Sequence, residues 1–170
     1  KQDRRGRLYR IDPDLSETLV LEDIGCSNGM GLTPDGKGLY YTDTSDGRIY
    51  HFDYEAATGE LTNQTTLLQF RGEHGAPDGM TVDAEGNLWV AFWGGSCVRA
   101  YGPDGVERAR VDIPVECVTC PIILPDRHLY VTTAGGARRL PRLHPGVRRD
   151  RHGGRVVRCA HAGTAPARAR

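Results

Sequence analysis

The sequence predicts an all-β protein built from repeated four-stranded units. Residues 28–43 and 78–91 share one pattern: a polar residue, Gly-Met, an apolar strand, an acidic-Gly turn and a second apolar strand. A weaker copy occupies residues 119–134. The copies begin roughly 40 to 50 residues apart, and a hairpin that recurs at this period is typical of a β-propeller with one blade per repeat.

The segments between the copies complete the predicted blades. Residues 6–14 resemble residues 47–55, which read as the third strand of a blade and its exit turn. The chain is therefore expected to open inside a blade, with residues 16–23 as its outer strand. Blade two then covers residues 28–70 and blade three residues 78–113, with Asp-Gly and Thr-Gly turns that favour tight hairpins.

Blade four begins at Thr119 and has two convincing strands, and no helix is predicted in residues 1–136. The count is then two full and two partial blades, about three in all. Because a propeller closes with four to eight blades, we expect the chain to be part of a propeller or to need partners. Its first residue is Lys1 and not Met, which suggests an upstream segment.

The composition changes near residue 136 and separates a predicted partial propeller, residues 1–136, from a tail, residues 137–170. The tail holds ten Arg residues and one Asp, whereas the first part carries a net charge of −9. Such an Arg-, Pro- and Gly-rich stretch without alternation favours a non-native tail, for example a coding region read in the wrong frame. A natural disordered tail and a basic nucleic-acid-binding arm are alternatives, but the tail lacks aromatic residues for stacking on bases.

Several classes of protein are disfavoured by composition. The chain has no run of about 18 apolar residues and no apolar signal core, so neither a membrane span nor secretion is indicated. Five cysteines without a secretory signal favour reduced thiols and a cytoplasmic location. Cys117 and Cys120 have the spacing of a zinc knuckle or redox pair, but no second pair follows. We expect them to be buried or semi-buried strand cysteines.

Asn28 and Asp78 occupy equivalent positions at the start of the innermost strand of two neighbouring blades. In a propeller this position faces the central channel. Two oxygen ligands that converge there predict a metal site. The competing interpretation is that both residues only support turns, Asn28 before a glycine and Asp78 after a proline.

A resemblance to a known family rests on residues 27–30, 34–43, 52–54, 77–91 and 129–134. Together these segments resemble the senescence marker protein/regucalcin/gluconolactonase family, whose members are six-bladed propellers that hydrolyse sugar lactones with one divalent metal ion. The most specific match is Pro-Asp-Gly-Met followed by Asp-Ala-Glu-Gly-Asn-Leu-Trp. The resemblance implies that this chain holds roughly three of six blades.

The resemblance also implies a site. Asn28 and Asp78 would be metal ligands, a Glu upstream of Lys1 would be a third, and Asp78 would also act as the catalytic base. The metal would be calcium or zinc, or alternatively magnesium or manganese, and the substrate a small sugar lactone. No nucleic-acid or membrane partner is implied. With only two ligands, we expect weak metal binding and little catalysis by this chain alone. The alternative is a non-catalytic, calcium-binding regulatory propeller.

Other polar and aromatic residues receive structural roles. His74 precedes blade three and is a candidate for substrate contact at the channel mouth, or else a loop residue. Four acidic residues are expected to have structural roles in turns: Asp35, Asp46, Asp104 and Asp126. Asp43 and Asp83 are expected to be solvated or to support turns. The large aromatic residues of the strands are expected in the core: Tyr40, Tyr41, Trp89 and Trp93.

Overall fold

The structure is a computed structural model that describes residues 6–72, 74–135, 148–149 and 155–156. Within these residues it is all-β, with no helix and four antiparallel sheets, as the sequence predicted. Nothing in the described part of the chain forms a helix long and apolar enough to cross a membrane.

In the first three sheets, neighbouring strands are consecutive along the chain. The first sheet has two strands, β1 (Gly6–Ile11) and β2 (Glu17–Ile24). The second sheet is ordered β3-β4-β5-β6, formed by Ser27–Leu32, Gly38–Asp43, Arg48–Glu55 and Glu60–Gln69. The third is ordered β7-β8-β9-β10, formed by Ala76–Val82, Leu88–Trp93, Cys97–Tyr101 and Glu107–Asp112. The fourth is ordered β11-β12-β14-β13, formed by Val118–Ile123, Leu129–Thr133, Arg148–Arg149 and Arg155–Val156.

The second and third sheets coincide with predicted blades two and three, and β1 and β2 with the predicted third and outer strands. The short strands β13 and β14 were not predicted, because they lie in the Arg-rich residues 137–170. They join the fourth sheet through a pairing of Tyr130 with Val156. Apart from these two strands, the predicted tail lies outside the described residues, so its disorder and its boundary stay predictions.

Each pair of consecutive sheets encloses an apolar layer. In β8, Leu88, Val90 and Phe92 are fully buried in the layer shared with the second sheet. Ala91, between them in sequence, belongs to the layer shared with the fourth sheet. Successive side chains of a strand point to opposite faces, so an almost continuously buried strand shows that the sheet is covered on both sides.

The residues that the structure describes cover the two-stranded sheet on one face only. Leu8 and Leu21 pack against a buried cluster that includes Tyr41 and Phe52 of the second sheet. Tyr9 and Ile11, which alternate with Leu8 along β1, are 46% and 60% exposed. Apolar side chains therefore project from both faces of β1, which is typical of a strand that is buried between two layers.

The predicted aromatic core is confirmed for two residues and wrong for one. Tyr40 and Tyr41 are buried, and Trp89 is partly buried beside the layer between the third and fourth sheets. Trp93 is 44% exposed. It is the last residue of β8, beyond the apolar layers, where it pairs with Cys117.

The turn between the first two strands of a sheet requires a left-handed residue. Gly36 and Gly86 have φ values of 68° and 84° at equivalent positions, and Arg127 takes the same conformation, with φ 66°, in the fourth sheet. Glycine adopts this region without a Cβ clash, which explains the Asp-Gly and Glu-Gly turns that the sequence repeats.

We predict that Gly36→Ala lowers the free energy of unfolding by about 1 kcal/mol, because alanine is strained at positive φ. No atom lies within 4 Å of the added Cβ, so backbone conformation alone produces the loss. Urea denaturation measures it. Gly135→Ala is the matched control, since it also has open space but no positive φ. Equal losses in the two variants would contradict the prediction.

Candidate active site

The first strands of three consecutive sheets, β3, β7 and β11, lie side by side. Each has an irregularity in its pairing with the next strand, between Ser27 and Met30, between Pro77 and Met80, and between Val118 and Cys120. A β-bulge turns a side chain away from the regular alternation. The irregularities fall on Asn28, on Asp78 and on Thr119, the equivalent positions found in the sequence.

The structure brings Asn28 and Asp78 together across the boundary between the second and third sheets. The Asn28 side-chain amide donates a hydrogen bond to the Asp78 carboxylate, and the Gly79 N–H donates another. Both side chains are partly buried. Two polar residues 50 positions apart in sequence thus form one polar pair, which we call the Asn28–Asp78 pair.

Burial raises the pKa of Asp78 above its ordinary value of 3.8. The hydrogen bonds from Asn28 and Gly79 stabilise the ionised form and offset part of this shift. Desolvation therefore dominates. The result is a carboxylate that binds a proton more readily than an exposed Asp does, and whose negative charge is incompletely compensated.

The β11 strand supplies the next residues along this surface. Cys120 is exposed, so the prediction that it is buried or semi-buried is wrong, whereas Cys117 has the intermediate exposure that was predicted. The Cys120 sulfur nevertheless lies against Gly79 of β7, and the resulting partial desolvation, followed by the charge of Asp78, raises the pKa of the Cys120 thiol. The hydroxyl groups of Thr119 and Thr132 form a hydrogen bond, with their oxygen atoms 2.7 Å apart. The sequence placed Thr119 at the start of the third copy but did not predict its contact with Thr132, which depends on the β11–β12 register.

Hydrogen bonds fix the residue before each member of the Asn28–Asp78 pair. The buried Tyr41 hydroxyl donates to Ser27 Oγ at 2.6 Å, and Ser27 Oγ donates to the Arg7 carbonyl at 3.3 Å. Thr44 Oγ1, in the turn after β4, donates to the Pro77 carbonyl at 2.7 Å. Thr44 therefore links the second sheet directly to the residue before Asp78, a contact that the sequence did not indicate.

Asp43 has the turn-supporting role predicted for it. Its fully buried carboxylate accepts hydrogen bonds from the backbone N–H groups of Gly25, Cys26 and Ser45 at 3.0 to 3.1 Å. These contacts hold the segment that leads into β3 against the turn that carries Thr44. Asp43 thus positions the strand of Asn28 from outside the site.

The other carboxylates considered lie in turns. Asp83 accepts hydrogen bonds from Asn87 and from Trp89 Nε1 at 2.9 Å, and so fixes the β7–β8 turn. Asp35, Asp104 and Asp126 each accept the N–H of the residue two positions later. His74 is exposed in the turn before β7, which leaves its predicted substrate contact untested.

The donor atoms of the Asn28–Asp78 pair fit a hard divalent cation. The Asn28 side chain carries an amide oxygen and Asp78 a carboxylate, both ligands that hard divalent cations prefer, and the two side chains are in contact. Within the described residues, no group of three or more His, Cys, Asp or Glu side chains could hold a metal ion. A cation here would therefore take two oxygens from this pair and its other ligands from elsewhere, including water.

Comparison with known proteins identifies the family to which the repeated strand motifs belong. Residues 1–135 match the family described as the SMP-30/Gluconolactonase/LRE-like region. The chain belongs to this family. The predicted resemblance is confirmed, and it covers the four sheets apart from β13 and β14.

Two relatives and one solved structure of the SMP-30/gluconolactonase type illustrate the similarity. The pentonolactonase XacC of Haloferax volcanii is 43% identical over 133 residues, which are 77% of this chain and 46% of that protein. The L-arabinolactonase of Azospirillum brasilense is 37% identical over 166 residues, 96% of this chain and 54% of that protein. A calcium-binding regucalcin structure from Agrobacterium tumefaciens has a TM-score of 0.72 and 34% identity over 77% of this chain and 45% of its own. The chain spans about half the length of the relatives it matches.

We predict that Asp78→Asn raises the melting temperature of the metal-free protein at pH 7. The raised pKa of Asp78 means that folding disfavours its ionised form. This contribution to stability is present below pH 3.8 and is lost as pH rises through the folded-state pKa. The advantage of Asp78→Asn should therefore shrink below about pH 4, as thermal melts in EDTA can show.

Asp35→Asn is a control for which the expected change in melting temperature has the opposite sign. The Thr33 hydroxyl and the Lys37 N–H lower the pKa of Asp35, so its ionised form stabilises the fold above pH 3.8. Asp35→Asn should lower the melting temperature at pH 7. A lower melting temperature for Asp78→Asn as well would show that desolvation does not dominate at Asp78.

Proposed function

We propose that this chain forms part of a divalent-metal-dependent hydrolase of sugar lactones, in which Asn28 and Asp78 are metal ligands. The observation that carries the proposal is the hydrogen-bonded contact of the Asn28 amide with the Asp78 carboxylate between two sheets. It is supported by the family, whose relatives include proteins named as lactonases.

The relatives named pentonolactonase and L-arabinolactonase favour lactones of five-carbon aldonic acids as substrates. Thr119 occupies the position of β11 that is equivalent to Asn28 and Asp78, and its hydroxyl and that of Thr132 would suit a ligand with several hydroxyl groups. The choice among calcium, zinc, magnesium and manganese stays a prediction, although the regucalcin from Agrobacterium tumefaciens is named as a calcium-binding protein.

In the proposed mechanism, Asp78 acts as the general base. A water molecule beside its carboxylate loses a proton to Asp78 as its oxygen attacks the lactone carbonyl carbon. The ring C–O bond then breaks, and the proton passes to the alkoxide oxygen to give the open hydroxy acid. A desolvated Asp is a stronger base than an exposed one, provided that it is ionised at the working pH. A bound divalent cation would polarise the lactone carbonyl and favour the ionised form of Asp78.

Asn28 has a complementary role in this mechanism. Its amide nitrogen holds one carboxylate oxygen of Asp78, which fixes the orientation of the base. Its amide oxygen supplies a neutral ligand, so the pair contributes one negative charge and not two. The Asn28–Asp78 pair therefore neutralises less of the charge of a bound cation than two carboxylates would.

We predict that Asp78→Asn lowers kcat/KM for a pentonolactone by about 100-fold or more, because a general base and a charged ligand are both lost. Little turnover is expected from this chain alone, so the assay also uses a chimera. In the chimera, residues 1–135 replace the matching segment of the Haloferax volcanii pentonolactonase. Acid release at constant pH, above spontaneous hydrolysis, gives the rate.

Asp35→Asn in the same chimera is the control, since Asp35 lies in an exposed turn and should leave kcat/KM within about twofold. Full activity of Asp78→Asn in an active chimera would contradict the proposal. Calcium binding by the chimera without turnover of any lactone would favour the alternative of a non-catalytic calcium-binding propeller. The cytoplasmic location and the predicted lack of nucleic-acid and membrane partners stay predictions.

A further inference from the structure

The close approach of β3 and β7 depends on a missing side chain. A Cβ atom at Gly29 would lie 2.6 Å from the Met80 nitrogen, 2.7 Å from the Asp78 carbonyl oxygen and 3.0 Å from the Gly79 carbonyl carbon. All three are backbone atoms of β7, which cannot rotate away as a flexible side chain can. Any larger residue at Gly29 must therefore move one strand relative to the other.

The geometry assigns to Gly29 a positioning role: it sets the separation of β3 and β7 so that the Asn28 amide reaches the Asp78 carboxylate. Gly29 directly follows Asn28, and two of the three backbone atoms that it contacts belong to Asp78 and Gly79. A displacement here acts on both members of the pair at once. The effect on metal affinity rests on the proposed function, whereas the effect on the contact between Asn28 and Asp78 does not.

A glycine also allows the close approach of β7 to β11, the first strand of the fourth sheet. A Cβ atom at Gly79 would lie 2.6 Å from the Thr119 carbonyl oxygen and 2.7 Å from Cys120 Sγ. In β11 the equivalent position carries the Cys120 side chain. Glycine is thus present where the next innermost strand must approach closely, which is a packing reason for the repeated Gly-Met.

Thr44 provides a second, independent restraint on the same separation. Its hydroxyl donates a hydrogen bond of 2.7 Å to the carbonyl of Pro77, the residue before Asp78. Thr44 lies outside the strands, in the turn after β4, and so restrains β7 from a different element than Gly29 does. Thr44→Val removes this hydrogen bond with little change of shape, and Thr44→Ser preserves the hydroxyl.

Gly31 is the matched control for Gly29. It lies on the same strand and faces the same neighbouring sheet, but a Cβ atom there would meet the Val82 Cγ2 methyl at 2.7 Å and nothing else closer than 3.7 Å. A methyl group at the end of a side chain can move when backbone cannot. Gly31→Ala should therefore change packing without separating Asn28 from Asp78.

The experiment compares Gly29→Ala, Gly31→Ala, Thr44→Val and Thr44→Ser in the full chain by two readouts. The first is metal-free: the chemical shift and solvent exchange of the Asn28 side-chain NH₂ in ¹H–¹⁵N spectra, which report its hydrogen bond to Asp78. The second is the Kd for calcium, from titration of the same spectra with calcium chloride. Melting temperatures show whether each variant is folded.

We expect Gly29→Ala and Thr44→Val to shift the Asn28 NH₂ resonances and speed their exchange, and to raise the calcium Kd by about tenfold or more. Gly31→Ala and Thr44→Ser should stay within about twofold of the unmodified chain. Should Gly29→Ala fail to fold, the two Thr44 variants decide the matter. Unchanged Asn28 resonances in Gly29→Ala would overturn the positioning role of Gly29. If Gly29→Ala is unfolded, unchanged resonances in Thr44→Val would overturn the dependence of the Asn28–Asp78 contact on the separation of β3 and β7.

The experiments distinguish failure of the proposed function from failure of the positioning role of Gly29. If the unmodified chain and the chimera bind no calcium and hydrolyse no lactone, the proposed function is wrong, and the Asn28 resonances still decide whether Gly29 positions the pair. If calcium binds but Gly29→Ala and Gly31→Ala weaken it equally, the positioning role is wrong and the metal site stands.

Discussion

The burial of each central sheet on both faces is the constraint on which the rest of this structure depends. Strands such as β8 and β9 are almost completely buried, because apolar side chains on alternate faces enter two different layers. Such strands cannot be solvated on either side, so the sheets must stack. Stacking brings the first strand of each sheet beside the first strand of the next. The site lies where these strands meet.

Where the first strands of two sheets lie side by side, neighbouring residues have different functions. The layer between the second and third sheets is apolar and tightly packed, whereas its edge holds the Asn28–Asp78 pair. Bulges in β3 and β7 separate these functions, because they release the polar residues from the regular alternation. The partly desolvated carboxylate that results costs stability in the metal-free chain. Local destabilisation of this kind is common where a group is reserved for binding or catalysis.

Support for the pair comes from the second sheet. The Tyr41 hydroxyl donates a hydrogen bond to Ser27, and the Thr44 hydroxyl donates one to the Pro77 carbonyl. Asp43 accepts hydrogen bonds from the backbone of Cys26, just before Ser27, and of Ser45, just after Thr44. Tyr41 and Asp43 belong to β4, and Thr44 lies in the turn that follows it. One strand and its turn thus control the position of both members of the pair, although neither member belongs to them. Asp43 looked like a turn residue in the sequence, and the structure shows which segments that turn joins.

The sequence by itself determined the all-β class, the strands of the second and third sheets and the equivalence of Asn28 and Asp78, because alternation, Gly turns and the repeat are local signals. It also identified Gly29 and Gly79 as parts of a motif. Only the tertiary structure decided that Gly29 faces the backbone of β7, that Cys120 is exposed, and that Thr44 reaches Pro77. These contacts join residues from different sheets, and their geometry follows from inter-sheet packing and bulge register, which no local pattern encodes.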